Sequence, residues 1–406
     1  MKFGFNWLIA CLALVCLATG GAQAEVPSSP STPGLSEHGQ LLWEKYLQTL
    51  PWERLQEDCK PRIIPARGPY RGVATLLHGY TACPQQFFSL ADKLSAEGFT
   101  VILPLAPGHG LRWTMKDGKK IDDNSGFPTA LPTDDRGFGK VYAPFVGDMN
   151  QLAASFPGER VLGGISVGAT IALHMANAAP DIWNRQIIMS PLLDATSNPL
   201  RQTLDAIMST GWNPLLGALL NTDIGWGQGC EDERSLSYVQ TYGREQTRAG
   251  ICQFKATHAM AVGRYGIETG KSLHPTPVQT QFLAVTEDII VNHAGLFKAV
   301  ERLQGITPDL FSADTVGGDR YPTAKICYLP SSNTICANNL KLPLDQQQKP
   351  CINHSMLSRF DAPNQNKYWI APLEEKLVDF IAHGEFFAID EQAMFKKAAM
   401  CAGFPR

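Results

Sequence analysis

The stretch RVLGGISVGATIALHMANA, residues 160–178, decides the fold of this chain. Residues 160–162 begin it as a short apolar run that predicts a strand, and residues 167–178 carry the apolar pattern of a helix. Between them lies GISVG, residues 164–168, a GxSxG pattern. A serine on such a tight turn projects its hydroxyl outward, and side chains two residues either side would collide. The pattern predicts Ser166 as a nucleophile; the alternative is a glycine-rich turn whose serine only caps the helix.

Outward from this turn, short apolar runs alternate with longer amphipathic segments, the pattern of strands and helices in a largely parallel sheet. The predicted strands are Gly72–Leu77, Thr100–Leu103, Arg160–Leu162, Gln186–Met189, Gln281–Val285 and Ala324–Leu329. The predicted helices are Pro84–Glu97, Tyr142–Phe156, Val167–Ala178, Asn292–Leu303 and Pro372–Ile381. The sequence therefore predicts the α/β class, with no internal repeat.

The amino terminus carries the features of a secretory signal peptide. Lys2 precedes an apolar run, and the small-residue ending Ala22-Gln23-Ala24 predicts cleavage before Glu25. Cys11 lies in a lipobox-like context, which leaves a lipoprotein as the alternative. No other segment approaches the roughly 18 uninterrupted apolar residues of a membrane span. We expect a secreted or periplasmic protein without a transmembrane segment.

Composition and cysteine usage narrow the class further. The chain has 406 residues, 44% of them hydrophobic, so it can bury a sizeable core, and its net charge of −3 gives no basic footprint for nucleic acid. Eight cysteines follow the signal peptide, an even number without CxxC spacing, which favours disulfides over metal binding. Proximity in sequence suggests the pairs Cys230–Cys252 and Cys336–Cys351.

A second turn is a candidate for oxyanion binding. In Leu76-Leu77-His78-Gly79-Tyr80 a His-Gly turn follows a predicted strand, and open α/β sheets bind ligands at the carboxyl ends of their strands. There the Tyr80 amide can join the Val167 amide as two donors aimed at one oxygen. We expect His78 itself to be a buried residue that ties the loop down.

The run LLHGYTACPQQFFSLADKLSAEGFTVILPLAPGHG, residues 76–110, together with GGISVGA, residues 163–169, resembles the α/β-hydrolase superfamily. Within it, the chain is similar to the monoglyceride-lipase and carboxylesterase-like branch, in which serine aminopeptidases look alike. The resemblance implies an α/β-hydrolase fold with a mostly parallel central sheet, helices on both faces and a helical cap insertion. It implies no cofactor and no metal.

The same resemblance implies where the acid and the base lie. The superfamily's chain order is nucleophile, acid and histidine. FLAVTEDIIV places Asp288 just past a predicted strand, and CINHSML places His354 in the loop before the last helix. Asp194 is a rival acid, since some members of the superfamily use that position. The competing histidines are His258, His274 and His293.

Domain bounds follow from these assignments. We expect a signal peptide at 1–24, an N-terminal leader and helix at 25–60, a hydrolase core at 61–194 and 276–385, a cap at 195–275 and a C-terminal extension at 386–406. The cap carries Trp212, Leu215, Leu216, Leu219, Leu220 and Trp226. These side chains either face acyl chains of a substrate or simply pack the cap onto the body.

Taken together, the residues and this resemblance imply a secreted serine hydrolase that cleaves a small-molecule or lipid ester through an acyl-enzyme. One alternative is an amide or peptide hydrolase of serine-aminopeptidase type, which uses the same triad. Another is a non-catalytic hydrolase fold that serves as a binding protein. Residues 266–272, GIETGKS, are one residue short of a nucleotide-binding P-loop and follow no strand. Asn353-His354-Ser355 is a glycosylation sequon that we expect to be unused, because a glycan would block His354.

Overall fold

The computed structural model describes residues 34–80, 82–110, 115–116, 119–120, 135–194, 223–225, 253–286, 288, 291–305, 324–330, 354, 356–357, 370–395 and 398–403. The strands are β1 Arg62–Ile64, β2 Gly72–Leu77, β3 Phe99–Leu103, β4 Met115–Lys116, β5 Lys119–Lys120, β6 Glu159–Ile165, β7 Arg185–Met189, β8 Asp223–Gly225, β9 Gln253–Lys255, β10 Gln279–Val285, β11 Ala324–Leu329, β12 Ile389–Phe395 and β13 Ala398–Cys401. The helices are α1 Glu37–Gln48, α2 Phe88–Ala96, α3 Asp135–Ala154, α4 Val167–Ala178, α5 Ala256–Ser272, α6 His293–Leu303 and α7 Ile370–Val378. Helix α7 continues as a π turn, Asp379–His383, and short 3₁₀ turns occur at Trp52–Arg54, Glu57–Cys59 and Pro84–Phe87.

One large sheet organises the described part of the chain. Nine of the described strands form it, in the order β1-β3-β2-β6-β7-β10-β11-β13-β12. The strands from β3 to β13 in this order are parallel to their neighbours, and β1 and β12 pair antiparallel at the two edges. Strands β2 and β3 are buried along their whole length, as in parallel sheets that are covered on both faces. The predicted α/β fold with a mostly parallel sheet is confirmed.

Helices cover both faces of this sheet. On one face, α2 and α7 pack against the strands in an apolar cluster that includes Leu76, Leu94, Val101 and Leu373. On the opposite face α4 packs against β6 and β7, and α3 in turn packs against α4 and α5. The burial of apolar side chains on both faces is the main favourable contribution to folding.

The elements nearest the predicted nucleophile match the sequence prediction well. Helix α4 has the predicted bounds, and β6 runs three residues beyond the predicted strand to Ile165, directly before Ser166. The carboxyl-terminal region differs from the prediction, because strands β12 and β13 lie within the segment expected to be a mere extension. Alanine, methionine and the polar residues Asp390, Glu391 and Gln392 make up most of these two strands, and such residues carry little strand preference.

Two disulfides connect distant parts of the described chain. Cys59–Cys83 ties the 3₁₀ turn Glu57–Cys59 to the turn that begins at Pro84, with a Cα–Cα distance of 5.1 Å. Cys327–Cys401 joins β11 to β13, with a Cα–Cα distance of 5.0 Å. The prediction that the chain contains disulfides is therefore confirmed.

Several sequence predictions concern residues outside the described part. They are the signal peptide and Cys11, the pairs Cys230–Cys252 and Cys336–Cys351, the apolar cap residues from Trp212 to Trp226, and the sequon at Asn353. Of the predicted cap, residues 195–275, the structure describes β8, β9 and α5 with the residues that follow it to 275. No helix among the described residues is both long enough and apolar enough to cross a bilayer.

The Cys327–Cys401 bond gives a prediction about stability. It closes a loop with a sequence separation of 74 residues. In the chain-entropy model, a crosslink over such a loop stabilises the fold by about 4 kcal/mol through its effect on the unfolded chain. We expect Cys327→Ala/Cys401→Ala to lower the free energy of unfolding by about this amount in urea titrations under oxidising conditions. A loss below about 1 kcal/mol would show that the bond contributes little to the fold.

Candidate active site

The predicted nucleophile lies on a sharp turn between β6 and α4. Ser166 has φ of 56° and ψ of −120°, in a region of backbone conformation that residues other than glycine rarely adopt. Such strain persists where the surroundings enforce it, and it is concentrated at functional sites. The Ser166 residue is 8% exposed, so the hydroxyl lies in a recess.

The two glycines of the GxSxG pattern permit this turn. A Cβ atom at Gly168 would lie 2.0 Å from the carbonyl oxygen of Leu77, on the neighbouring strand β2. A Cβ atom at Gly164 would lie 2.4 Å from the carbonyl carbon of Gly168. Both distances are shorter than any real contact, so the steric reason predicted for the glycines is confirmed.

Three backbone hydrogen bonds connect neighbouring strands at the carboxyl edge of the sheet, from the turn at Ser166 to β11. They are Ser166 N to Met189 O at 2.9 Å, Ser190 N to Leu283 O at 2.7 Å, and Thr286 N to Leu329 O at 3.1 Å. Each bond joins the end of one strand to the next strand. The residues that follow β6, β10 and β11 are therefore presented at the same edge.

At this edge the structure brings together two of the residues singled out in the sequence. His354 Nδ1 lies 2.8 Å from Asp288 Oδ2, although 66 positions separate the residues in the chain. The Asp288 side chain is fully buried, and its other oxygen accepts a hydrogen bond from the Val291 amide at 3.1 Å. An ionised Asp288 accepts the proton on Nδ1, so Nε2 is the ring nitrogen left to act as a base.

The second ring nitrogen of His354 is available for chemistry. Nε2 is buried and has no hydrogen-bond partner within the described parts of the chain, Ser166 included. The side chain is 13% exposed. In structures without substrate, hydrogen bonds between a nucleophile and its base are often long and tighten only when substrate binds.

The rival acid has a different partner. Asp194 Oδ2 accepts from Asn292 Nδ2 at 3.4 Å, and its backbone oxygen accepts from the Asn292 amide at 2.7 Å. Asn292 is the N-cap of α6, and its own side chain accepts from the Ala294 amide. Asp194 therefore anchors the start of α6.

The competing histidines lie on α5, after α5 and at the start of α6. His274 is exposed between α5 and β10, and its backbone amide donates to Asn177. His293 opens α6 with its ring 4.8 Å from the Tyr328 ring, edge to face. His258 lies in the first turns of α5.

The predicted oxyanion turn lies beside the nucleophile. A Cβ atom added to Gly79 would lie 3.4 Å from Ser166 Cβ and 3.5 Å from the carbonyl oxygen of Ile165. Val167 is the first residue of α4, so its amide has no acceptor within the helix. The turn carrying Tyr80 and the first turn of α4 thus both border Ser166.

His78 holds this turn in place, as predicted. Its Nε2 accepts a hydrogen bond from the Ala106 amide at 3.0 Å, which leaves the proton on Nδ1 to be donated to the Gly79 carbonyl at 2.9 Å. The His109 ring packs against it edge to face, with the centroids 5.0 Å apart. Burial lowers the pKa of His78 to about 3 and that of His109 to about 4. Both rings are therefore neutral near pH 7.

Comparison with known proteins gives a family and a set of similar folds. The model of the alpha/beta hydrolase family matches residues 76–304. Among curated proteins, no sequence matches significantly. Similar solved structures include a monoacylglycerol lipase of Paleococcus ferrophilus, with a TM-score of 0.48 and 14% identity, covering 80% of this chain and 99% of that chain. A soluble variant of the Saccharomyces cerevisiae monoglyceride lipase has a TM-score of 0.44 and 12% identity, covering 79% of this chain and 90% of that chain.

Two glycine substitutions test the packing behind the nucleophile turn. We expect Gly168→Ala to lower the free energy of unfolding by about 3 kcal/mol or more, because the added methyl group meets the rigid backbone at Leu77. Gly147→Ala is the matched control, since Gly147 lies inside α3 with nothing within 4 Å of an added Cβ. It should raise stability by about 0.5–1 kcal/mol through helix propensity. Equal effects of the two changes in urea titrations would contradict this packing.

The buried histidines predict a loss of stability in acid. Because their folded-state pKa values lie below the unfolded value of about 6.5, the unfolded chain binds more protons as the pH falls. Their contribution is present above pH 6.5 and is lost from there toward pH 4, at about 1.4 kcal/mol per pH unit for each ring. His109→Gln should remove about half of this slope in urea titrations at successive pH values. His38 is exposed, so His38→Gln is the control and should keep the wild-type slope. An equal slope in all three proteins would show that the buried His109 ring does not cause the loss of stability in acid.

Proposed function

Because the chain belongs to the α/β-hydrolase family, as the family match over residues 76–304 shows, we propose that it hydrolyses carboxylic esters through an acyl-enzyme formed on Ser166. One observation carries the proposal. Asp288 and His354 form a hydrogen bond of 2.8 Å at the edge of the sheet where Ser166 occupies its strained turn. A hydroxyl is a weak nucleophile near neutral pH and needs such a base, itself oriented by a third group.

In this mechanism the imidazole moves one proton in each half of the reaction. His354 Nε2 accepts the Ser166 hydroxyl proton as the oxygen attacks the ester carbonyl, and it then donates that proton to the departing alcohol. Water attacks the acyl-enzyme with the same assistance and releases the acid. Asp288 fixes the ring with the proton on Nδ1 and stabilises the imidazolium that forms.

The negative oxygen of the tetrahedral intermediate requires two donors. The Val167 amide at the start of α4 and the Tyr80 amide are the proposed pair, and the helix dipole of α4 adds a favourable field at the same place. Loss of one such donor typically costs about 2.7–4 kcal/mol of transition-state stabilisation. The geometry of the His78–Tyr80 turn is thus a second determinant of the rate, beside the three side chains.

The compartment and the substrate class belong to the same proposal. Two disulfides in the described chain support an oxidising compartment, in agreement with the predicted signal peptide. We propose secretion or export to a periplasm, and a lipid-like or short-chain ester as the substrate.

Covalent labelling tests the nucleophile and a substrate panel tests the reaction. We expect a fluorophosphonate probe to label the wild type and to leave Ser166→Ala unlabelled, and we expect nitrophenyl esters to be cleaved faster than aminoacyl anilides. Asp288→Asn should lower kcat by about 10⁴-fold, as loss of the acid does in such triads. Asp194→Asn is the matched control, because that carboxylate anchors α6, and it should keep kcat within a few fold.

Each result has a distinct meaning. Equal labelling of wild type and Ser166→Ala would remove the nucleophile assignment. Faster cleavage of anilides would replace the esterase by the amidase alternative. A large loss in Asp194→Asn with full activity in Asp288→Asn would exchange the two acids.

A further inference from the structure

The backbone on either side of Gly79 sets the direction of the Tyr80 N–H, and the role derived from it below rests on the proposed function. The carbonyl of Gly79 and the N–H of Tyr80 belong to one planar peptide unit, and no described peptide bond is cis. In a trans unit the two groups point in opposite directions. Whatever fixes the Gly79 carbonyl therefore also fixes the direction of the proposed oxyanion donor.

The carbonyl is held by two donors. His78 Nδ1 donates to it at 2.9 Å, and the Ala82 amide donates to it at 3.1 Å, which closes a tight turn. These bonds do not fix the preceding peptide unit, which consists of the His78 carbonyl and the Gly79 N–H. Glycine has no Cβ atom and can rotate both of its backbone angles with little steric cost. The orientation of the Tyr80 N–H therefore depends on the peptide units on both sides of Gly79.

That second unit is held by a side chain from further along the loop. The Gly79 amide donates to Gln86 Oε1 at 2.9 Å. Gln86 lies in the 3₁₀ turn Pro84–Phe87, and its own amide donates to the Cys83 carbonyl at 3.0 Å. Cys83 is in turn bonded to Cys59, so the turn that carries Gln86 is fixed to the body of the protein.

We propose that Gln86 is a positioning residue for ester hydrolysis. Its side-chain oxygen holds the Gly79 amide, and the two hydrogen bonds on the Gly79 carbonyl hold the next unit, so that the Tyr80 N–H keeps the direction needed to receive the oxyanion. In this role Gln86 acts through the Gly79 backbone and not by contact with the reacting atoms. Its effect is confined to the tetrahedral states, in which the oxygen carries charge.

The neighbouring residue provides a matched control. Gln85 lies in the same 3₁₀ turn, and its side-chain nitrogen donates to Asp58 Oδ2 at 3.0 Å. Each of the two glutamines thus contributes one side-chain hydrogen bond to the loop, and only Gln86 bonds to the oxyanion turn. Methionine has a similar length and flexibility but no strong acceptor. Gln86→Met and Gln85→Met therefore remove comparable bonds with different consequences.

The experiment compares kcat, KM and inhibitor affinity in wild type, Gln86→Met and Gln85→Met. The substrate is a nitrophenyl ester, and the inhibitor is a boronic acid that forms a tetrahedral adduct on serine. For Gln86→Met we expect kcat to fall about tenfold with KM within twofold, and boronate affinity to fall by the same factor, because a misdirected donor costs only part of what a missing donor costs. Gln85→Met should keep kcat and boronate affinity within twofold of the wild type. Its loss of thermal stability should be similar to that of Gln86→Met.

The outcomes separate this inference from the proposed function. An active wild type with equal kcat and equal boronate affinity in both variants would overturn the role of Gln86 alone. A rise in KM with kcat unchanged in Gln86→Met would do the same, since it would indicate an effect on the bound ground state. A wild type that neither cleaves esters nor reacts with a fluorophosphonate would overturn the proposed function, and the role of Gln86 with it.

Discussion

The parallel alignment of β6, β7, β10 and β11 is the constraint on which the site depends. Hydrogen bonds from the end of each strand to the next hold four carboxyl termini at one edge, where Ser166, Asp288 and His354 follow three different strands. No local segment could bring these side chains together, because 122 positions separate the first two and 66 the last two. Ordering the loops lowers the conformational entropy of the chain, and the burial of apolar side chains in the sheet offsets this loss.

Close backbone packing adds the second requirement. The nucleophile turn is strained, and the approach of Gly168 to Leu77 shows that β2 and the first turn of α4 lie as near as two backbones can. The same approach brings the His78–Tyr80 turn beside Ser166. A neutral His78, kept so by burial, can accept from Ala106 and donate to Gly79 at once, which a protonated ring could not do. The strain at Ser166 costs stability at any pH, whereas the buried imidazoles cost stability only as the pH falls.

Much of the fold near the nucleophile could be predicted because its local signals are strong. The bounds of α4 and β11, the strand before Ser166 and the bounds of α6 to within one residue all follow from apolar runs with clear boundaries. Strands β12 and β13 could not be predicted, since their composition favours no strand and the pairing of β13 with β11 joins segments far apart in the sequence. The cysteine pairs could not be predicted for the same reason. Cys327 and Cys401 are neighbours only in the folded sheet, so proximity in sequence was no guide to that bond.

The central claim is that Ser166, His354 and the amides of Tyr80 and Val167 converge on one tetrahedral centre. A crystal structure of the protein after reaction with a phosphonate ester tests it most directly. The account predicts phosphorus bonded to Ser166 Oγ, one phosphonyl oxygen about 2.7–3.1 Å from both amide nitrogens, and His354 Nε2 within hydrogen-bond distance of the adduct. Phosphorus on another residue, or an adduct on Ser166 whose oxygens contact neither amide, would contradict it.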